Sequence, residues 1–264
     1  MHNGIRTLLV IVGLLTLALT FIFFKKMPMA VNFWSWDTEG RLSFIFMASM
    51  QAAIAIAMLW IGYSGELAAL AAGGLNLTVM MVGLAVSIFA WIGADMQYGA
   101  TLGTFCLLFA LFNLLLFVWA QRIPIRDKRP IPSLVHYSFM IFIAALLGVG
   151  VALLLGWPNV FSWNLPPATS VIFGWMFIGD AFYFGYALYR GRWGLAVAPL
   201  LSFLAYDLVL IQPFINRLFT EDLPMLRRFS LTAYICILIY SASLAIYYLV
   251  IRAETRLSVN KVAR

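Results

Sequence analysis

Charge is scarce in this chain of 264 residues: only 10% are Asp, Glu, Lys or Arg, where soluble domains carry roughly 25%. Histidine and cysteine are scarcer still, with two of each. The histidines are His2 on the N-terminal tail and His136 at the start of an apolar run. They leave no pair for bis-histidine haem ligation inside a membrane. An interfacial hydrogen-bonding role is expected for His136, with ligation of one pigment or metal ion as the alternative. Cys106 and Cys236 both sit within apolar runs and read as small buried residues rather than as a disulfide. There is no His-x-x-x-His or Cys-x-x-Cys, and the ten acidic residues form no divalent-metal motif, so no metal centre is expected. Walker A, Rossmann and nucleophile-elbow patterns are missing as well. The expectation is therefore a protein without cofactor or catalytic motif.

What the chain has in excess is apolar length. Hydrophobic residues make up 64%, and the mean hydropathy is +0.97. A helix of about 20 apolar residues spans a bilayer. Such runs occur at 6–24, 42–63, 67–92, 102–121, 135–156, 169–189, 194–215 and 229–251. Backbone groups in lipid must be satisfied internally, and no ten-residue alternation points to a barrel, so the runs read as helices. The fold expected is all-α: an integral membrane bundle of eight spans in a single membrane domain, residues 1–264. The first run is read as a retained span, because Lys25 and Lys26 follow it without a small-residue cleavage site.

The pI near 9.6 raises the question of nucleic acid, but the basic residues gather at the ends of the runs. Eight spans place both termini on one side. That side holds Arg6, Arg122, Arg126, Lys128, Arg129, Arg190, Arg192, Arg252, Arg256, Lys261 and Arg264; the other holds Lys25, Lys26, Arg41, Arg217, Arg227 and Arg228. The positive-inside bias makes both termini cytoplasmic, in the cytoplasmic membrane, with lipids as partners and no nucleic acid.

The chain also reads as two halves, 1–122 and 134–264, joined by a basic, proline-containing connector at 123–133. The connector is expected to be stiff, extended and solvated, with acidic-lipid contact as the alternative. Asn32-Phe33-Trp34-Ser35-Trp36-Asp37 returns as Asn159-Val160-Phe161-Ser162-Trp163-Asn164, and Ser43-Phe44-Ile45-Phe46 returns as Ser170-Val171-Ile172-Phe173, each shifted by 127 residues. Cys106 and Arg122 match Cys236 and Arg252 at a shift of 130, the extra residues falling in an external loop at 216–228. Four spans per half predicts parallel tandem repeats. Ala69, Gly73, Gly74, Ala181 and Gly185 are small enough for close helix approach.

Trp34, Trp36 and Trp163 precede the second and sixth spans and are expected as interfacial aromatic anchors, with the wall of a ligand entrance as the alternative. Asp37, Thr38, Ser43, Asn164, Thr169 and Ser170 are candidate helix caps, and Pro166-Pro167 fixes the entry of the sixth span. The stretch Phe161-Ser162-Trp163-Asn164-Leu165-Pro166-Pro167-Ala168-Thr169-Ser170, followed by Gly174-Trp175, resembles a W-P-W-x-L-T-P-x-T-A-R motif. That motif leads into a G-A-W helix in bacterial polytopic membrane proteins without an assigned activity. Ser162 stands for its proline, Pro166 for its threonine, and Ser170 near its A-R pair. The resemblance covers about 20 residues and implies membership of that family without implying a function.

Two carboxylates are the sharpest candidates for chemistry. Asp180 lies near the middle of the sixth span and Asp207, beside Tyr206, near the middle of the seventh. A charge at that depth costs about 2.5–3.5 kcal/mol on insertion scales, so each should face the interior and find a donor or hold a proton. A short turn at 190–192 makes the two spans neighbours, and two aspartates at similar depth would suit proton coupling or cation binding. The competing reading has them hydrogen-bonded to Tyr183, Tyr206, Ser202 or a partner subunit. Aligned positions in the first half are Ala53 and Met80, so any such site is asymmetric. Gln51, Asn76, Thr78 and Asn113 are further polar contributors or interhelical glue. Pro213 is expected to free a carbonyl and bend the seventh span, with Gln212, Asn216 and Arg217 at a frayed outer end. The first functional expectation is a non-catalytic accessory or assembly subunit, or a lipid- or apolar-ligand-binding module, with a protein partner or homo-oligomer. The alternative is a small proton- or cation-coupled transporter.

Overall fold

The computed structural model describes residues 2–33, 40–92 and 99–257. Trp34, Trp36, Asp37 and Thr38 lie outside the described residues. Among the described residues, nine α-helices follow in chain order: α1 His2–Phe24, α2 Pro28–Phe33, α3 Arg41–Ser64, α4 Leu70–Ser87, α5 Gly99–Ala120, α6 Ser133–Leu154, α7 Pro167–Arg190, α8 Trp193–Thr220 and α9 Met225–Ile246. A short 3₁₀ turn leads into α4, and wider π-type turns extend α4 to Ile92 and α9 to Ile251. Among the described residues, eight helices are long and apolar enough to cross a membrane. The protein is an all-α, membrane-embedded helical bundle.

Helix ends follow local chemistry. α3 and α7 stop at glycines with positive φ: Gly65 (φ 72) donates to the Ile61 carbonyl, and Gly191 (φ 62) to that of Ala187. Only glycine takes that backbone without penalty. α7 opens on Pro167, whose missing N–H costs nothing in a first turn. The N-cap positions themselves, Gly40 before α3 and Pro166 before α7, carry no side-chain cap bond. Ser43 instead accepts from an indole, Ser170 donates to the Leu153 carbonyl, and Asn164 accepts from Arg227.

The seventh span departs furthest from expectation. Pro199 and Pro213 both lie inside α8, which runs on to Thr220, and α9 begins at Met225. The external loop expected at 216–228 is therefore mostly helix. Its polar residues bond along the helix: Thr220 donates to the Asn216 carbonyl and Arg217 pairs with Glu221 at 2.8 Å. One turn of spacing suffices to hold that end together.

Two compact units divide the chain. Unit 1 comprises Met1–Glu66, Phe161–Leu165 and Val197–Arg264. In it α1 packs on α3, and Arg6 donates from Nε to the Gly62 carbonyl (2.9 Å) and from Nη2 to that of Tyr63 (2.7 Å). These are the orphan carbonyls at the end of α3, where a cation is favoured. Ser202 of α8 donates to the Ala53 carbonyl of α3 at 3.0 Å.

Unit 2 comprises Leu67–Val160 and Pro166–Ala196, and pairs α4 with α5, α6 with α7, and α4 with α7. Glycine makes its closest approaches: a Cβ on Gly150 would stand 2.9 Å from the Gly174 carbonyl, and one on Gly174 3.0 Å from that of Gly150. Gly74 lies as tightly against α5 at Asn113, but Gly73 and Gly185 face open space. Helix α7 thus uses Gly174 and Gly179 for approach rather than Gly185.

The connector in unit 2 is not a free strap. Trp193 N–H donates to the Arg129 carbonyl (2.7 Å) and Gly194 N–H to that of Asp127 (3.1 Å). Arg192 donates from Nη1 to the Lys128 carbonyl at 2.9 Å, and Pro130 forms an antiparallel bridge with Arg192. The connector is held against the turn between α7 and α8.

Candidate functional site

Asp180 belongs to unit 2 and Asp207 to unit 1, and each has a donor within its own unit. Asp180 Oδ1 accepts from Asn76 Nδ2 at 2.8 Å, joining α7 to α4. The residue before it, Gly179, makes this possible, because Asn76 occupies the place a Cβ would take. One further turn toward the start of α7, the Trp175 indole lies over Gly83 and donates to Ser87 Oγ at 2.9 Å. The α4–α7 contact therefore has two polar ties, each seated over a glycine. Tyr183 is buried in the same unit.

Asp207 is fully buried, and its Oδ2 accepts from Ser241 Oγ of α9. Oδ1 has no hydrogen-bond partner among the described residues. Tyr206, adjacent on α8, meets the Tyr234 hydroxyl of α9 through its own. The aromatic rings around that pair come from Phe46, Phe161, Trp163 and Phe214, with Phe46 edge-on to Tyr206 at 5.9 Å and Phe214 5.3 Å from Tyr234. Trp163 is buried within this cluster at 8% exposure and donates from Nε1 to Ser43 at 3.1 Å. That is an interior placement, unlike the lipid-facing one expected of an anchor, because an indole with a hydroxyl acceptor at hand is satisfied inside the protein.

Other polar residues from the first half stay within their own helices. Thr78 donates to the Gly74 carbonyl and Asn113 to that of Phe109. Gln51 Oε1 is buried without a partner among the described residues. Ser202, a candidate donor for the carboxylates, donates to Ala53. His136 is exposed and stands edge-on to Tyr137. Cys106 is buried, whereas Cys236 is exposed on α9, contrary to the expectation for both.

Sequence reading did not single out Ser241, Tyr234, Ser87 or Gly179. Ser241 and Tyr234 lie seven residues apart and so share a face of α9. That spacing marks a face without saying which helix it meets. The geometry defines a polytopic helical membrane protein whose mid-span carboxylates sit in helix contacts. No protein-family model, curated protein or solved structure matches the chain.

Proposed function

We propose that this chain is a non-catalytic integral membrane protein, either an accessory or assembly subunit or a module that binds lipid or another apolar ligand. The observation that carries the reading is the pairing of both mid-span carboxylates. Asp180 accepts from Asn76 and Asp207 from Ser241, each across a helix contact. Polar groups placed this way hold helices together, each contributing about 0.6 kcal/mol and up to about 1.7 kcal/mol in membrane proteins. The outward surfaces are apolar: Phe105, Leu108, Phe112 and Leu115 of α5 are all 60–63% exposed. In this reading the protein resides in the cytoplasmic membrane with both termini cytoplasmic, which the basic-residue bias supports.

The reading includes a tandem duplication. Its support is that each unit draws one helical hairpin from each half: α1–α3 with α8–α9 in unit 1, α4–α5 with α6–α7 in unit 2. At the 127-residue shift Asp180 falls on Ala53 and Asn76 on Phe203, the neighbour of Ser202. The Ser202–Ala53 and Asn76–Asp180 bonds thus join matching positions within one residue.

Proton- or cation-coupled transport is the second reading. It is favoured by one feature, the buried Asp207 Oδ1 without a hydrogen-bond partner among the described residues. Native mass spectrometry of protein taken from its own membrane separates the two. A lipid or subunit adduct at fixed stoichiometry supports the accessory reading. A bare chain that drives substrate flux after reconstitution overturns it.

A further inference from the structure

We propose that the α4–α7 face around Asp180 is a docking surface for a membrane-spanning helix of another protein, one that carries a basic residue at mid-span. The starting point is an unfinished carboxylate. Asp180 Oδ1 accepts from Asn76, and Oδ2 accepts no hydrogen bond among the described residues. Nor is Oδ2 sealed inside the protein as Asp207 Oδ1 is: Asp180 is half-buried, where Asp207 is fully buried. Hydrocarbon has no donor to offer, so an oxygen left open at that depth stays unsatisfied until another polypeptide arrives.

The packing beside it is open as well. Gly73, Asn76, Leu77 and Met80 share one face of α4, spaced at three and four residues, and all are half-buried. At Asn76 and Met80 the contact with α7 is tight, since a Cβ on Gly179 would stand 2.4 Å from Asn76 Oδ1 and 3.2 Å from Met80 Cβ. At Gly73, one turn from Asn76, a Cβ would meet no neighbouring atom within 4 Å. The face thus passes from close contact to open space within a turn, beside the unfinished carboxylate. A glycine at such an opening lets an incoming helix approach closely.

The chemistry of the occupant follows from what faces it. An open carboxylate oxygen in a low-dielectric setting calls for a charge-assisted donor, and Lys or Arg supplies one. This chain has none to give: among the described residues, the basic residues of its spanning helices all lie in the first or last two turns. A second copy is the poorer fit for that reason. An axis along the membrane normal would bring Asp180 of both copies to one depth with no cation between them. A different protein, with a basic residue midway along a spanning helix, meets the need. The inference rests on the accessory reading and names the class of partner that such a subunit would hold.

The test places the full labelled chain in phosphatidylcholine bicelles with a polyleucine spanning peptide of about 21 residues. The peptide carries either one central Lys or none, and binding is read by energy transfer. The Lys peptide should bind roughly tenfold more tightly than the plain one. Asp180→Asn, which keeps the acceptor for Asn76, should fold as the wild type does and lose that preference. Asp222→Asn, which removes an exposed carboxylate elsewhere, should keep it. Gly73→Leu fills the opening, leaves the carboxylate in place and should weaken binding of the Lys peptide. Equal binding of the two peptides, or an undiminished preference in Asp180→Asn, would overturn the proposal. So would energy transfer between two labelled copies that Asp180→Asn abolishes, because a second copy would then be the occupant. Each of these failures leaves the accessory reading standing, whereas flux driven by the bare reconstituted chain removes that reading itself.

Discussion

Asn76 and Asp180 meet through a 2.8 Å hydrogen bond in the contact between α4 and α7. The bond sits over Gly179, where a larger residue would displace the amide. A carboxylate that costs free energy at mid-span is thereby matched with a donor three helices away in sequence.

Asparagine retains the acceptor oxygen that Asn76 uses, and alanine does not. Asp180→Asn is therefore expected to leave stability near that of the wild type. Asp180→Ala and Asn76→Ala should each lose about 0.6–1.7 kcal/mol, and the double alanine variant no more than either alone. Reversible unfolding in mixed micelles measures all four.

Glycines on one helix are expected to differ sharply. Gly179→Ala forces its Cβ against Asn76 and should cost about 1–3 kcal/mol. Gly185→Ala, six residues on, meets open space and should be neutral or stabilising by about 0.5–1 kcal/mol. Thermal unfolding in detergent distinguishes them, and similar losses at both sites would contradict the packing described.

Ser241 is the one donor shown for the buried Asp207 carboxylate. Ser241→Ala is expected to cost about 1–3 kcal/mol, because a buried acceptor loses its partner. Replacing both residues at once, as Asp207→Leu/Ser241→Ala, should cost less than the sum of the two single changes. An additive result would show that the bond carries no coupling.

The eight spans were legible because hydrophobic length is a direct statement about lipid. Their ends moved by only a few residues, the most at the outer end of α8, where a proline bend and a frayed end were expected. Pro213 nevertheless lies inside α8, and the helix continues past it to Thr220. The carboxylates were also legible, since charge inside an apolar run stands out. Their partners were not: Asn76 is 104 residues from Asp180 and Ser241 is 34 from Asp207. Helix rotation decides such pairings, and hydropathy carries no rotational information when a helix is apolar all round. Trp163 shows the same limit, having the composition of an anchor and the surroundings of a core residue.

Since each unit contains helices from both halves, neither half should fold alone. Residues 1–122 and 123–264, expressed together, are expected to co-purify as a stable pair. Expressed separately, each should aggregate or be degraded. A monodisperse, heat-cooperative 1–122 fragment would refute this intertwined assembly.

The central claim is that Asp180 and Asp207 hold helices together rather than carry ions. Proton and cation flux in proteoliposomes, compared among wild type, Asp180→Asn and Asp207→Asn, addresses it most directly. The account predicts that no gradient drives flux above that of empty vesicles in any of the three, with each protein monodisperse and folded. Flux through the wild type that disappears in either folded variant would contradict it.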